Sequence, residues 1–350
     1  MTNRHTYARL GFLVHAAELC VHFHATWLLL DVSEFDVVIY GTPYERRKTR
    51  QLVNSIGVRA VDAESVITDK YQYDVLISNL SLFKIADKPL TKILGKFNIR
   101  QMYALGKGKH NFASWNSHYD LIMCFGPYQR ERMATVCNTP TVEVGYPRYD
   151  RFFNESYNHK GMMEELGLDP NKKTILWLPT WLQLSSMDEY AEAISAISNQ
   201  YNVIVKTHPL SLEAEPERIK TLNTFDFTVM INDVYDNLDL FIISDFVICD
   251  YGGTAFGALY LDLNLLLVNV EDAEQDSLSG EDSPDILLRE SIINIDKTQK
   301  HLLSDILQNQ SLWDKQRQIR QQLRQTYFTN EYGTASQRVV EVIHQQLERG

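Results

Sequence analysis

Short apolar, β-branched runs alternate along this chain with longer stretches in which apolar residues recur every three or four positions. The short runs predict strands at Gly11–Val14, Asp36–Tyr40, Asp74–Ser78, Ile99–Ala104, Asp120–Phe125 and Thr141–Val144. A second set follows at Thr174–Leu178, Val203–Thr207, Phe227–Ile231, Phe246–Cys249 and Leu265–Val268. The longer stretches predict helices at Ala16–Leu30, Tyr128–Cys137, Met187–Gln200, Val234–Ile242, Thr254–Leu261, Ser311–Thr326 and Thr334–Glu348. Strands that are apolar throughout, rather than alternating, are covered on both faces, which means parallel sheets with helices on either side. Two such blocks imply an α/β chain of two Rossmann-like, doubly wound domains. The sequence turns polar between Phe152 and Lys172, so residues 1–155 are read as the N-terminal domain and 156–330 as the C-terminal one. Residues 331–350 form a last helix expected to cross back to the first domain. The acidic stretch Glu271–Pro284 reads as an exposed loop.

Composition narrows this little. The 350 residues, 44% hydrophobic and 23% charged, are those of an ordinary globular protein long enough for two cores. A formal net charge of -11 without a basic block argues against broad nucleic-acid binding, yet leaves room for one basic pocket. Cys20, Cys124, Cys137 and Cys249 form no C-x-x-C pair and read as reduced thiols. The N-terminus lacks the apolar core of a signal peptide, and no apolar run approaches the length of a membrane span. The expectation is therefore a cytoplasmic protein whose membrane contact, if any, is peripheral. No His/Cys/Asp/Glu spacing matches a metal site, and neither G-x-S-x-G nor a Walker P-loop is present.

The candidate chemistry lies at predicted strand ends, where open parallel sheets bind ligands. After Phe246–Cys249 comes Asp250-Tyr251-Gly252-Gly253-Thr254 and then a helix. A carboxylate, a tight Gly-Gly turn and a helix start capped by Thr254 would turn backbone N–H groups toward an anion, so Gly252, Gly253 and Thr254 are candidate phosphate contacts. After Val203–Val205 comes Lys206-Thr207-His208-Pro209. Lys206 is a permanent cation, and His208 is either a strand cap or a phosphate contact able to give a proton to a departing group. Leu178-Pro179-Thr180-Trp181 offers a hydroxyl at Thr180 and an indole for stacking, against the plainer reading of a core tryptophan. Gly145-Tyr146-Pro147-Arg148-Tyr149-Asp150 is a turn in which Arg148 either meets phosphate or pairs locally with Asp150. The loop Tyr103–Asn116 carries Lys107, Lys109 and His110, the one basic cluster of the first half that contains a catalytic residue type.

Four of these elements, in this order, make the chain resemble the CDP-glycerol glycerophosphotransferase family, the builders of teichoic acids and related phosphate-linked capsule polymers. They are the G-Y-P-R-x-D turn at Gly145–Asp150, the A-P-T-W strand end, here Leu178-Pro179-Thr180-Trp181, the K-x-H-P element at Lys206–Pro209, and the D-Y-S-S turn, here Asp250-Tyr251-Gly252-Gly253. The resemblance runs from about Asp120 to Leu267, with a weaker trace at Tyr332–Ser336. It implies a GT-B architecture, two Rossmann-like domains facing a central cleft, with the first on the acceptor side and the nucleotide donor held mainly by the second. It implies attack of an acceptor hydroxyl on the β-phosphorus of a CDP-polyol, with CMP leaving and neither cofactor nor obligatory metal. The partners implied are CDP-glycerol or a similar activated donor and a cell-surface polymer or lipid-linked acceptor. Two departures stand out. The family's paired serines are Gly252 and Gly253 here, and its His-Gly pair, taken as the catalytic base, is replaced by Ala104-Leu105-Gly106. The base expected in its place is His110, with His208 and Asp250 as the other catalytic candidates and Arg148, Thr180, Lys206, Gly252, Gly253 and Thr254 on the donor. Two other readings fit the same pattern: a glycosyltransferase using a sugar nucleotide, and a partner subunit that binds nucleotide without turnover.

Overall fold

The computed structural model describes residues 7–349. The chain separates into two units by internal contacts. One comprises the residues up to Tyr103, Phe112–Asn154 and Thr326 onward, and the other Ala104–Asn111 and Glu155–Gln325.

The first unit is built on strands β1 (Leu10–Val14), β2 (Phe35–Ile39), β3 (Ala60–Asp62), β4 (Tyr73–Ser78), β7 (Gly95–Gln101), β8 (Leu121–Cys124) and β9 (Thr141–Glu143), while β5 (Lys84–Ile85) and β6 (Lys88–Pro89) make a separate hairpin. The seven-stranded sheet is parallel, in the order β3-β2-β1-β4-β7-β8-β9. Side chains alternate across it. Phe12, Val14, Val37, Ile77 and Ile99 pack with Phe23, Trp27, Val339, Val342 and Ile343 on one face. Leu13, Val38 and Leu76 meet Val66, Leu90 and Leu94 on the other. Strand order reverses at β1 and β4, which makes their carboxyl ends the topological switch point of this sheet.

The C-terminal helix, Ala335–Arg349, belongs to this unit and is fastened at its start by a residue far away in sequence. The carboxylate of Asp150 accepts from the backbone N–H groups of Ala335 (3.2 Å) and Ser336 (2.5 Å). An acidic side chain there satisfies two of the donors that a helix leaves open and opposes the positive end of its dipole.

The second unit repeats the plan with β10 (Thr174–Leu178), β11 (Asn202–Lys206), β12 (Val229–Ile231), β13 (Phe246–Cys249), β14 (Asn264–Val268) and β15 (Asn294–Ile295), parallel in the order β12-β11-β10-β13-β14-β15. Its switch point lies at the ends of β10 and β13. Ile175, Trp177, Val203, Val205, Ile248 and Leu266 pack against Tyr190, Ala191, Ile194 and Trp313.

Several local expectations change. The stretch Glu271–Pro284 is not simply an exposed loop: Ala273, Ser279, Ser283 and Pro284 are buried, because its small residues fold back onto the second unit. The helix expected at Ala16–Leu30 opens as a 3-10 turn, Ala17–Cys20, and is α-helical only over Val21–Trp27. No described helix is long and apolar enough to cross a membrane.

Replacing Asp150 with Ala removes the fastening of the C-terminal helix, and a loss of about 1–2 kcal/mol is expected, the range for a lost N-cap. Urea denaturation checks this: a lower midpoint for Asp150→Ala, with a smaller drop for Asp150→Asn, is the expected outcome, and an unchanged midpoint contradicts it.

Candidate anion-binding site

The organising group of the second unit's switch point is Asp250, which has no exposed surface. Its carboxylate accepts from Thr180 N (2.8 Å), Ser186 N (2.9 Å), Ser186 Oγ (2.9 Å) and Tyr251 N (2.7 Å). The end of β10, the loop after it and the end of β13 are thereby pinned to one side chain. Burial pushes the Asp250 carboxyl up to about 6, and the four donated bonds hold it down against that push. Behind the turn, the Arg289 guanidinium lies 3.6 Å from the centroid of the Tyr251 ring and donates to the carbonyl of Asp250 and to Asn269 Oδ1.

The turn itself is made by Gly252 at φ +104°, a conformation that side-chain-bearing residues rarely adopt. Gly252, and not Thr254, is the N-cap of the helix Gly253–Tyr260. The Thr254 hydroxyl turns back to the Cys249 thiol instead. The Gly252 N–H is not open to an incoming anion either, because it donates to Asp285 Oδ2 at 2.9 Å. A buried amide without a partner is costly, and here the chain supplies its own carboxylate. Ser283 donates to the other Asp285 oxygen and accepts from Gly108 N. The segment Ala104–Asn111 lies on this turn within the second unit: a Cβ at Gly106 would stand 2.8 Å from the Gly252 backbone, and one at Gly253 would stand 3.0 Å from the Ala104 methyl.

Beside the turn are two lysines and a histidine. The His208 ring stacks on Trp181, with centroids 5.1 Å apart and planes 9° from parallel, and Lys107 Nζ lies 5.9 Å from the centroid of the same indole. Leu210 N donates to His208 Nδ1 at 3.2 Å, so the proton of the neutral ring sits on Nε2. Burial first, and then Lys107 and Lys206, push His208 down to about 3. It is therefore a neutral hydrogen-bond donor near pH 7, where the sequence reading made it able to give a proton to a departing group. Burial also lowers Lys107, while Asp276, Asp285 and Asp250 oppose that shift. Lys206 is buried at the end of β11. Desolvated cations beside a neutral donor can hold a phosphate far more strongly than surface lysines.

Of the residues expected to form a site, His110, Thr180, Lys206, His208, Asp250, Gly252, Gly253 and Thr254 all lie in the second unit. Thr180 contributes its backbone N–H to Asp250, and His110 sits in the short helix Gly108–Asn111. Arg148 lies in the first unit, over the Tyr149 ring, where its charge acts on the buried His22. Ser186, Asp285 and Arg289 were not anticipated. Among the described residues no group of three or more His, Cys, Asp or Glu is placed to hold a metal ion.

Comparison with known proteins adds the following. The sequence profile of a family described as CDP-glycerol:poly(glycerophosphate) glycerophosphotransferase matches residues 60–345. A teichoic acid poly(glycerol phosphate) polymerase of Bacillus spizizenii is 28% identical over 188 residues, covering 49% of this chain and 46% of that protein. A teichoic acid glycerol-phosphate transferase of Staphylococcus aureus is 26% identical over 188 residues, covering 48% and 46%. The chain thus spans about half the length of the curated relatives it matches. Among solved structures, the wall teichoic acid polymerase TagF superposes with a TM-score of 0.61 at 15% identity, over 97% of this chain and 89% of that one. Anabaena HepE, solved in complex with UDP and glucose, superposes with a TM-score of 0.59 at 10% identity, over 97% and 100%. At these identities the likeness is one of fold, the two-domain GT-B architecture.

In protein carrying 13C-labelled histidine, the His208 ring signal, identified by its loss in His208→Gln, is expected to remain that of the neutral ring from about pH 8 to about pH 5. A titration midpoint near the ordinary value of about 6.5 contradicts the described environment.

Proposed function

This chain belongs to the CDP-glycerol:poly(glycerophosphate) glycerophosphotransferase family, and on that premise we propose that it transfers a glycerophosphate or related polyol-phosphate group from a CDP-activated donor to a hydroxyl of a cell-surface polymer or lipid-linked acceptor, releasing CMP. The observation that carries this reading is the convergence of Lys107, Lys206 and the Nε2–H of His208 beside the Asp250 turn, at the carboxyl ends of parallel strands. An otherwise acidic chain has gathered buried positive charge at the place where such sheets hold phosphate.

In the proposed reaction the acceptor oxygen attacks the β-phosphorus, and the bond from that phosphorus to the bridging oxygen breaks. CMP leaves with the bonding pair, and the hydroxyl proton passes to His110. Lys107 and Lys206 neutralise charge that grows on the leaving phosphate, and His208 donates a hydrogen bond to one of its oxygens. The N–H groups of Gly253 and Thr254 complete the anion site, with Thr180 at the donor's edge. Asp250 is a positioning residue, since both of its oxygens are already occupied. The protein acts at the inner face of the membrane through peripheral contact. Support for that comes from the β5–β6 hairpin, where Leu82, Phe83 and Ile85 are 39%, 40% and 36% exposed near exposed Lys84 and Lys88.

Lys206→Ala and Lys107→Ala are each expected to weaken CDP-glycerol binding by roughly tenfold or more, equal to about 1.4 kcal/mol. Titration calorimetry reads this directly, and wild-type affinity in both variants overturns the phosphate assignment. His110→Ala is expected to leave that affinity intact and to slow CMP release by about a hundredfold. Unchanged turnover removes His110 as the base, and UDP release from a sugar nucleotide with no CMP from CDP-glycerol overturns the donor.

A further inference from the structure

The second switch point of the molecule, in the first unit, carries polar groups that nothing above uses. Register places Ser78 opposite Leu13 of β1 and opposite Arg100 of β7. One residue further on, Asn79 and Gln101 therefore come level at the carboxyl edge, and His15 follows the neighbouring strand one position beyond that level. Asn79 is 3% exposed, yet neither end of its amide makes a hydrogen bond with the protein. Gln101, 2% exposed, donates from Nε2 to the His22 carbonyl at 2.7 Å, while its Oε1 has no partner. His15 Nδ1 is likewise buried and without a hydrogen bond. Buried polar groups are nearly always paired, and leaving several unpaired along one sheet edge costs stability. A folded chain tolerates that cost where a ligand supplies the missing partners, and a strand-order reversal is where ligands of such sheets bind.

We infer that His15, Asn79 and Gln101 form a binding site for an uncharged, hydroxyl-bearing ligand, the polyol end of the acceptor. The assignment of that ligand rests on the transferase reading. The chemistry of the three groups selects for hydroxyls. One amide offers both a donor and an acceptor, a second offers an acceptor, and an imidazole offers a single nitrogen of either sense. None is a cation. Burial holds His15 below its ordinary titration range, against the pull of Glu45, so the imidazole is neutral near pH 7. The three groups themselves offer a phosphate no charge, whereas vicinal hydroxyls would find matched partners. The atoms are covered in this conformation, so entry requires the side chains above them to move.

The test is NMR on the full chain, following the Asn79 side-chain amide and the 13C-labelled His15 ring, each identified by its loss in Asn79→Leu and His15→Gln. The probes are glycerol, a synthetic glycerol-phosphate dimer and inorganic phosphate. Glycerol and the dimer are expected to shift both signals saturably, and inorganic phosphate is not. Asn79→Leu is expected to weaken dimer binding at least tenfold while melting at or above the wild-type temperature, since no hydrogen bond is lost. Should Asn79→Leu fail to fold, Asn79→Ser carries the same comparison. Unmoved signals with glycerol and dimer alike, as a trapped structural water would give, overturn the inference. So do wild-type affinity in the folded variant and a response to phosphate alone. Nucleotide binding measured on the same samples separates the two claims: if CDP-glycerol does not bind while the hydroxyl probes do, the transferase reading fails and the site stands.

Discussion

One buried carboxylate holds the second unit's site together. Asp250 stands at the end of β13 with no exposed surface and gathers backbone and hydroxyl donors from Thr180, Ser186 and Tyr251. Its burial would favour the protonated form, and the donated bonds restore the charged one. The position of the β10 loop, the approach of Trp181 to His208 and the shape of the glycine turn all follow from that fastening. A carboxylate so fully engaged is a fixture of the scaffold.

Those groups show how an acidic chain creates a positive spot. The two lysines and His208 lie close enough that burial and mutual repulsion push the imidazole to about 3. The lysines are already desolvated and held in place there, so an arriving anion would meet charge that the fold has positioned in advance. Asp285 occupies the Gly252 amide, so in the proposed reaction recognition falls to the lysines, the His208 Nε2–H and the helix start beyond Gly252. A helix start was expected to be the main grip on an anion, but its first amide is already satisfied from within, by Asp285.

Much of this was legible in the sequence, for identifiable reasons. The long buried strands such as Thr174–Leu178 and Phe246–Cys249 are continuous apolar runs and could be bounded to the residue. The glycine turn was visible because Gly252 needs a positive φ. The three-residue β3 and two-residue β15 were not, since such short strands carry no period. The helix Pro43–Ser55 was missed because only Thr49 and Val53 are buried in it, although its Thr42–Glu45 capping box and Pro43 were readable signals. Lys107 was assigned to the wrong neighbourhood because chain position does not reveal that Ala104–Asn111 packs with residues far downstream. Asp285 and Ser283 were hidden inside and beside an acidic stretch, where a charge run reads as solvated unless its partner is known. Asn79 could not have been singled out at all, for what marks it is the absence of partners in three dimensions.

The most direct measurement of this account is a crystal structure of the chain with CDP-glycerol bound. The account predicts the diphosphate against Lys107, Lys206 and the Nε2 of His208, with Asp250 unmoved and its carboxylate still bonded to Thr180 and Ser186. A diphosphate seated in the first unit, or one held in the second unit without touching either lysine, would contradict it.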